Sequence, residues 1–298
     1  MKTGIVFEGG AFRTIFSCGV MDAFLDRDIM PDYMIGVSAG AAYGVSYASR
    51  QKRRNLQILL DYRDDKRYMS MHNMTDKTNR SVYGLEFAYD TIPNKLVPFD
   101  YDTFNAWGGE FYAVVTNVLT GKPEYMRYTT EDRTNKLLQA TCALPALFPY
   151  IYLNDTPYLD GGLSDSIPYE RAFADGCDRV VVVLTRQKGY KKKTGATTKA
   201  LAHAFWKYPE LGKDLLSRAD CYNRSLKKLE QLEKEKKVTK KKLIDFLVSV
   251  KAISKGEEVR ISGLGAEIKS SYKPYIDFRR LLAAGTLTAE DVDCIIER

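Results

Sequence analysis

Two short apolar runs open the chain, and each precedes a tight turn and a longer stretch of helical periodicity. Thr3 to Phe7 has the composition of a buried strand, and residues 15–25 are apolar at three- and four-residue steps. Tyr33 to Val37 and the stretch Ala39 to Ser49 repeat that order. The pattern predicts two strand-helix units of a parallel sheet, and therefore an α/β fold.

The rest of the chain continues this alternation less regularly. Residues 53–102 are polar with short helical fragments, and we expect them to form a covering subregion. An amphipathic helix at 213–237 and a capped terminal helix at 288–296 are predicted near the end. The intervening periodicity predicts strands at 110–118, 123–128, 151–153, 157–159 and 179–184, and helices at 134–142 and 168–175.

Composition is that of a globular protein with one large domain or a domain with a helical appendage. The chain has 298 residues, of which 45% are hydrophobic and 28% charged. The start lacks a secretory h-region, and no apolar run approaches the ~18 residues of a membrane span. Five cysteines without a Cys-x-x-Cys pair indicate free thiols in a reducing compartment, and only His72 and His203 are available to complete a zinc site. We therefore expect a soluble cytoplasmic protein without a metal.

Positive charge is concentrated in the C-terminal third. Between Arg186 and Lys255 there are 20 Lys or Arg against 7 Asp or Glu, whereas the whole chain has a net charge of +7. Such a basic region either keeps a helical surface solvated or makes peripheral contact with an anionic membrane. We expect no nucleic-acid partner, because aromatic residues are not interleaved with the lysine clusters as a stacking surface requires.

One face of the predicted helix 213–237 is apolar and the remainder is charged. This apolar stripe either packs on the main domain or lies on a lipid surface with lysines around it. Its members are Leu215, Ala219, Tyr222, Leu226 and Leu229.

Ser38 is the first candidate for chemistry. It lies in Gly36-Val37-Ser38-Ala39-Gly40, between the second predicted strand and its helix, which is the setting of a nucleophile elbow. A serine on so tight a corner crowds the backbone on both sides, so Gly36 and Gly40 occupy positions that need to be nearly free of side chain. A five-residue match also arises by chance, and other features have to support it.

The base that would activate Ser38 has two candidates. Asp160-Gly161-Gly162 follows a short predicted strand, and its glycines allow close backbone approach while the carboxylate stays at a strand end. An aspartate with an ordinary pKa of ~3.9 is a weak base, so it needs a hydrogen bond to Ser38 and some desolvation. A triad of Ser38, Asp160 and His203 has the chain order of α/β-hydrolases and stays open as an alternative. By itself, Asp160-Gly161-Gly162 is also compatible with a plain turn.

The glycine turn Glu8-Gly9-Gly10-Ala11-Phe12-Arg13 joins the first strand to the first helix. Its backbone N–H groups are candidates for holding an oxyanion, with Arg13 adding charge or bracing the loop. A nicotinamide-dependent enzyme is disfavoured because Ala11 and Thr14 break the Gly-x-Gly-x-x-Gly fingerprint. The turn also lacks the Gly-Lys-Ser/Thr ending of a phosphate loop.

Taken together, these motifs resemble the patatin-like phospholipase family, and most closely its bacterial stand-alone members. The glycine turn ends in Phe12-Arg13, Ser38 follows 25 residues later, and the segment 140–149 precedes Asp160-Gly161-Gly162. The resemblance covers about the first 185 residues. It implies a three-layer α/β/α sheet fold and a Ser-Asp dyad in which Ser38 attacks an ester carbonyl and Asp160 takes and returns the proton. It also implies an oxyanion hole at Gly9, Gly10 and Ala11 with Arg13 beside them.

This chain departs from the family pattern in the glycine turn. Ala11 stands where a third glycine is usual, and Thr14 stands where the turn usually closes with glycine. Alanine keeps its N–H, so an oxyanion hole survives if Ala11 has a φ below zero. Apolar side chains that line an acyl-chain pocket or belong to the core are Tyr68, Met69, Met71, Met74, Tyr83, Phe87, Tyr89, Phe99 and Phe104.

The sequence thus predicts a patatin-like catalytic domain at 1–185 and a mainly helical, basic region at 186–298 packed on it. The expected function is a lipid acyl hydrolase acting on acyl lipids without a metal or organic cofactor. The alternative is a weakly catalytic or non-catalytic protein that binds lipid at a membrane surface through residues 186–255.

Overall fold

The computed structural model describes residues 1–187, 189–234 and 295–297, and its centre is a mixed sheet with helices on both faces. The strands are β1 Thr3–Phe7, β2 Tyr33–Val37, β3 Glu110–Asn117, β4 Pro123–Arg127, β5 Ile151–Leu153, β6 Thr156–Asp160, β7 Arg179–Val183 and β8 Ile295–Glu297. The α-helices are α1 Ile15–Asp26, α2 Ala39–Ala48, α3 Arg54–Tyr62, α4 Tyr101–Ala106, α5 Lys136–Cys142, α6 Tyr169–Ala174, α7 Ala196–Ala204 and α8 Pro209–Lys234.

The sheet has the order β5-β6-β3-β2-β1-β7-β8, and β4 pairs with β3 outside this path. Strands β7, β1, β2 and β3 run parallel to their neighbours in this central part, as the two strand-helix units predict. The remaining strands β4, β5, β6 and β8 pair antiparallel. The hairpin between β5 and β6 turns at Asn154 and Asp155, whose φ values of 47° and 63° are those of a tight two-residue turn.

Successive side chains of the central strands enter two different cores, one on each face of the sheet. Ile5 and Phe7 of β1 pack with α1 and α2, whereas Val6, between them in sequence, packs with α6 and α8. Adjacent residues of a strand point to opposite faces, so a strand that is apolar throughout needs a helical layer on each side. The three-layer α/β/α arrangement predicted from the sequence is confirmed.

The apolar stripe of the long helix packs against the sheet. Leu215, Ala219, Tyr222 and Leu229 are buried, and Leu226 packs beside them on the face that also carries α6. The stripe is therefore covered by protein, and this excludes the alternative in which it lies on lipid. The boundary near residue 185 stays a prediction, and residues 235–255 of the basic region lie outside the described part of the chain.

The prediction of a terminal helix at 288–296 is wrong for its last residues. Ile295 and Ile296 belong to β8, which pairs antiparallel with β7 over Arg179 to Val181. Strand β7 pairs with β1 along one edge, and the backbone N–H and C=O groups of its other edge need partners. Strand β8 supplies them. Residues 288–294 lie outside the described part.

Residues 53–102 form the expected covering subregion on the face of α1 and α2. It contains α3, a 3-10 turn at Met71–Thr75 and a π-helix at Phe87–Leu96 that contains Pro93. Within residues 1–187 and 189–234, no helix combines the length and the apolar character that crossing a membrane requires.

Gly40 is where the first two strand-helix units press together most closely. A Cβ at this position would lie 2.4 Å from the carbonyl oxygen of Phe7, which is backbone and cannot rotate away. We expect Gly40→Ala to lower the free energy of unfolding by about 1–3 kcal/mol, because α2 has to shift from β1. Chemical denaturation checks this.

Gly195→Ala is the matched control, since a Cβ there meets no atom within 4 Å. Equal stabilities of the two variants would contradict the close contact between α2 and β1.

Candidate active site

One edge of β3 brings Ser38 and Asp160 together. Strand β4 covers one edge of β3 over 112–116, so β2 and β6 share the opposite edge. There β2 ends with Val37 beside Val114, and β6 ends with Asp160 beside Val115. Because Ser38 follows Val37 directly, the two candidate residues lie next to consecutive positions of one strand.

The backbone at Ser38 has the strain of a nucleophile elbow. Its φ of 55° and ψ of −130° lie outside the regions that residues with a side chain prefer. The surrounding contacts leave no room for larger neighbours, since a Cβ at Gly36 would lie 2.5 Å from the backbone N of Ala41. The Ser38 carbonyl accepts the first hydrogen bonds of α2, from Ala41 at 2.9 Å and Ala42 at 3.1 Å. The elbow is therefore held by the helix that follows it.

Thr141 hydrogen-bonds to the backbone at the point where β2, β3 and β6 meet. Its hydroxyl accepts a hydrogen bond from the Ser38 N–H at 2.9 Å and donates one to the Val114 carbonyl at 2.6 Å. The residue is fully buried. The threonine belongs to the segment 140–149 noted in the sequence, but its role was not predicted because it depends on where α5 meets β3.

Asp160 is a buried carboxylate in contact with Ser38. It is 2% exposed, and one carboxylate oxygen accepts a 2.7 Å hydrogen bond from the Gly162 N–H. Burial raises the pKa of Asp160, and this outweighs the hydrogen bond from the Ser38 hydroxyl and the nearby charge of Arg218, which lower it. The two conditions that the sequence sets for an aspartate base, contact with Ser38 and desolvation, are both present.

The loop after Asp160 is held from two sides. A Cβ at Gly161 would lie 2.1 Å from the Val114 carbonyl oxygen, so only glycine fits against β3. Arg218 of α8 donates from Nε to the Gly162 carbonyl at 2.7 Å. Helix α8 thereby holds Gly162, whose N–H donates the hydrogen bond to the Asp160 carboxylate.

The glycine turn runs along the opposite side of Ser38. A Cβ at Gly9 would lie 2.8 Å from the Cβ of Ser38, and one at Gly10 would lie 2.8 Å from the Thr185 hydroxyl. Within the described residues, no acceptor takes a hydrogen bond from the N–H of Gly9, Gly10 or Ala11. These amides are therefore available to a bound group.

Ala11 has a φ of 47°, so the condition set from the sequence for this residue is not met. The left-handed region suits glycine and strains alanine, because the Cβ comes close to the backbone. This explains why a glycine is usual at this position in the family that the sequence resembles. The Ala11 methyl is at the exposed end of the turn, and Arg13, two residues on, is exposed as well.

Glu8 holds the glycine turn in place through its side-chain hydrogen bonds, a role that the sequence analysis did not identify. This carboxylate is 4% exposed and accepts hydrogen bonds from the Thr185 backbone N–H at 2.5 Å, the Thr185 hydroxyl at 3.0 Å and the Tyr222 hydroxyl at 2.9 Å. The partners come from the end of β7 and from α8. An acidic residue at a strand end followed by glycines was visible in the sequence, but its partners are 177 and 214 residues away.

Cys142 lies on the other side of the Ser38 hydroxyl. Its thiol is in hydrogen-bond contact with the hydroxyls of Ser38 and Tyr89, and burial raises its pKa to about 12. A thiol with such a pKa stays protonated at neutral pH and does not compete as a nucleophile.

Ser38 lies in an open cleft. This cleft of about 350 Å³ contains Ser38, Asp160 and the glycine turn, and several basic side chains line it. A separate, mainly apolar cavity of about 100 Å³ is lined by Tyr89 but not by Ser38. The basic side chains of the cleft are Arg13, Arg186, Lys192, Lys193 and Arg218.

Some of the apolar residues that the sequence analysis assigned to a pocket or to the core line the apolar cavity, and others pack in the core. Tyr68, Tyr83, Tyr89 and Phe99 line the apolar cavity. Phe104 belongs to the core under α2, Met69 and Phe87 pack in the covering subregion, and Met71 is 69% exposed.

Neither histidine lines the cleft. His203 is exposed on α7, where its Nδ1 lies 2.8 Å from the Lys199 carbonyl, and His72 is exposed in the 3-10 turn. The geometry therefore favours the Ser38 and Asp160 pair over the triad. Over residues 1–187 and 189–234, no three His, Cys, Asp or Glu side chains are grouped as metal ligands.

The fold and site define a class: an α/β protein with a serine on a strained strand-helix turn beside a buried aspartate. The sequence model of the family described as "Patatin-like phospholipase" matches residues 5–173. That is more than half of the chain, and the chain belongs to this family.

Three curated relatives each align with more than half of the chain. "Uncharacterized protein YjjU" of Escherichia coli K12 is 26% identical over 190 residues, covering 62% of this chain and 52% of YjjU. "Lysophospholipase nte1" of Aspergillus niger is 25% identical (61% of this chain, 12% of that protein), and "Triacylglycerol lipase 4" of Saccharomyces cerevisiae is 23% identical (57% and 22%). This chain thus spans about half of YjjU and a smaller share of the other two.

Among solved structures, VipD from Legionella pneumophila aligns with 95% of this chain and 67% of its own, at 12% identity and a TM-score of 0.46.

Arg218 lowers the pKa of Asp160 by its charge, and removing that charge should raise the pKa further. We expect Arg218→Gln to raise the Asp160 pKa, and Arg218→Lys to raise it less because the charge remains. NMR titration of ¹³C-labelled aspartate carboxyls measures this directly.

Arg224→Gln removes a charge from an exposed position of the same helix and should leave the Asp160 pKa unchanged. An Asp160 pKa that does not respond to Arg218→Gln would contradict the electrostatic coupling between α8 and the site.

Proposed function

We propose that this chain is a lipid acyl hydrolase that cleaves carboxylic esters through an acyl-serine intermediate, with Ser38 as nucleophile and Asp160 as base. The observation that carries the proposal is the position of Ser38 beside the buried Asp160 carboxylate at the shared edge of β3, where the Ser38 side chain acts on the pKa of Asp160. A serine hydroxyl becomes a competent nucleophile when a base in contact with it accepts its proton. Membership of the patatin-like phospholipase family supports a lipid ester as substrate.

In the first half of the reaction, Ser38 Oγ bonds to the ester carbonyl carbon while its proton passes to Asp160. The carbonyl oxygen takes the negative charge, and when the carbonyl re-forms, the bond to the alcohol oxygen breaks. Asp160 returns the proton to that oxygen, and the alcohol leaves. Water then repeats the sequence on the acyl-serine with Asp160 as base, releasing the fatty acid and restoring Ser38.

The raised pKa of Asp160 suits this role. A carboxylate with an ordinary pKa holds a proton too weakly to take one from a serine, whereas a buried carboxylate is a stronger base. Its protonated form is also easier to create because it removes a charge from a desolvated position.

The unoccupied amides of the turn are suited to the developing oxyanion. We assign this role to the N–H groups of Gly9 and Gly10, which run beside Ser38, and we give Arg13 the role of adding positive charge at the turn. Ala11 is left out of the set because its φ is positive. The N-terminus of α2, which begins directly after Ser38, contributes its dipole in the same place.

Ser38→Ala and Asp160→Asn should each lower hydrolysis of a short p-nitrophenyl ester by on the order of 100-fold or more, because the nucleophile or its proton acceptor is lost. The measurement is initial rate against substrate concentration, with circular dichroism to show that the variants are folded.

His203→Ala is the control and should retain the wild-type rate. An equally large loss in His203→Ala would replace the dyad by the triad. If a fluorophosphonate probe leaves Ser38 unlabelled in a protein that binds anionic vesicles, the chain is a lipid-binding protein and the proposal fails.

A further inference from the structure

The apolar cavity lies between α2 and the covering subregion, apart from the Ser38 cleft. Its volume is about 100 Å³, and among the described residues none lines both spaces. Its walls come from α2, α3, α5 and the π-helix Phe87–Leu96, which contributes Tyr89, Ile92 and Pro93. A π-helix is rare and is frequently found at functional sites. This wall is therefore the kind of element that a ligand site uses.

One side chain that lines the apolar cavity is a cation. Arg54 is 8% exposed, and its guanidinium lies 5.4 Å from the centre of the Phe99 ring. Burial lowers the pKa of Arg54 to about 10, so the guanidinium keeps its charge at neutral pH. In the part of the chain that the structure describes, no carboxylate forms an ion pair with it. A buried charge without a counter-ion is costly, and proteins usually pair it.

The Arg54 guanidinium is held in place by neutral acceptors. Its Nη2 donates to the Val97 carbonyl at 2.8 Å, and its Nη1 donates to the Ser46 hydroxyl at 3.0 Å. Its Nε donates to the Pro98 carbonyl at 3.4 Å. These contacts fix the position of the side chain but do not neutralise its charge. A guanidinium has five N–H groups, so two of them are left to donate to a bound anion.

We propose that the apolar cavity binds a short-chain monocarboxylate, whose carboxylate pairs with Arg54 and whose alkyl chain lies against the apolar walls. A carboxylate matches the planar fork of a guanidinium and supplies the negative charge that Arg54 lacks. The rest of the lining is mainly aliphatic and aromatic, which disfavours phosphate, because its other oxygens would lose water without gaining partners. A volume of about 100 Å³ limits the chain to about four carbons, since a cavity of ~150 Å³ holds a benzene ring. This site does not depend on the proposed function.

The test is an NMR titration of the ¹⁵N-labelled protein with butanoate and with butanamide, which has nearly the same shape but no charge. We expect butanoate to cause saturable shifts of the amide signals of residues 42–45 and 88–92, which surround the cavity. Butanamide should bind about tenfold more weakly, because the charged hydrogen bond to Arg54 is missing. For the same reason, Arg54→Gln should raise the Kd of butanoate by about tenfold.

Arg53→Gln is the matched control, since it removes the same charge from the exposed neighbouring residue and should leave the Kd unchanged. A second variant keeps Arg54 and its hydrogen bonds in place. Ala88→Leu puts a larger side chain into the cavity wall and should abolish butanoate binding, with circular dichroism to show that the protein is folded. Butanoate binding to Ala88→Leu with the wild-type Kd would place the ligand elsewhere and overturn the proposal.

Three further results would contradict the site. Butanoate may cause no saturable shifts, or butanamide and butanoate may bind equally tightly, which would leave an apolar cavity without an anion site. Shifts confined to the signals of Gly9 and Gly10 would mean that the carboxylate binds in the Ser38 cleft instead. Because the titration requires no turnover, each of these results leaves the hydrolase proposal intact, and loss of hydrolysis in Ser38→Ala leaves the carboxylate site intact.

Discussion

The shared edge of β3 is the constraint on which the rest of the site depends. Strands β2 and β6 occupy that edge one after the other, so that Val37 lies beside Val114 and Asp160 beside Val115. Two segments more than a hundred residues apart therefore end at one point. Thr141 holds that point by bonding both the Ser38 N–H and the Val114 carbonyl. A one-residue slip in the register of β6 would carry the Asp160 side chain to the opposite face of the sheet.

Two unfavourable features are concentrated at this point, and the surrounding structure stabilises both. Ser38 has a strained backbone, and Asp160 is a buried carboxylate whose pKa is raised by desolvation. Helix α2 and the close contacts at Gly36 and Gly40 stabilise the strained backbone of Ser38. The Gly162 amide and Arg218 stabilise Asp160 and the loop that follows it. Strain and desolvation persist where neighbouring contacts over-determine the geometry, and such places are where function concentrates.

Helix α8 connects the C-terminal part of the chain to the site. Tyr222 bonds Glu8 under the glycine turn, and Arg218 bonds Gly162 after the aspartate, so one helix braces both sides of Ser38. The same helix buries an apolar stripe on the sheet.

Local pattern was sufficient for most of the elements and for the two candidate catalytic side chains. The periods of two and of three to four residues mark β1, β2, α1 and α2, and the glycines around Ser38 and after Asp160 mark places where backbone approaches backbone. These signals are readable because they depend on neighbours in sequence. Only the tertiary structure decided that Ile295 and Ile296 add a strand to β7, that Glu8, Thr141 and Cys142 surround the elbow, and that Lys192 and Arg218 face the serine. Each of those depends on contacts between distant segments, which the sheet order and the packing of α5 and α8 create and which no local pattern encodes.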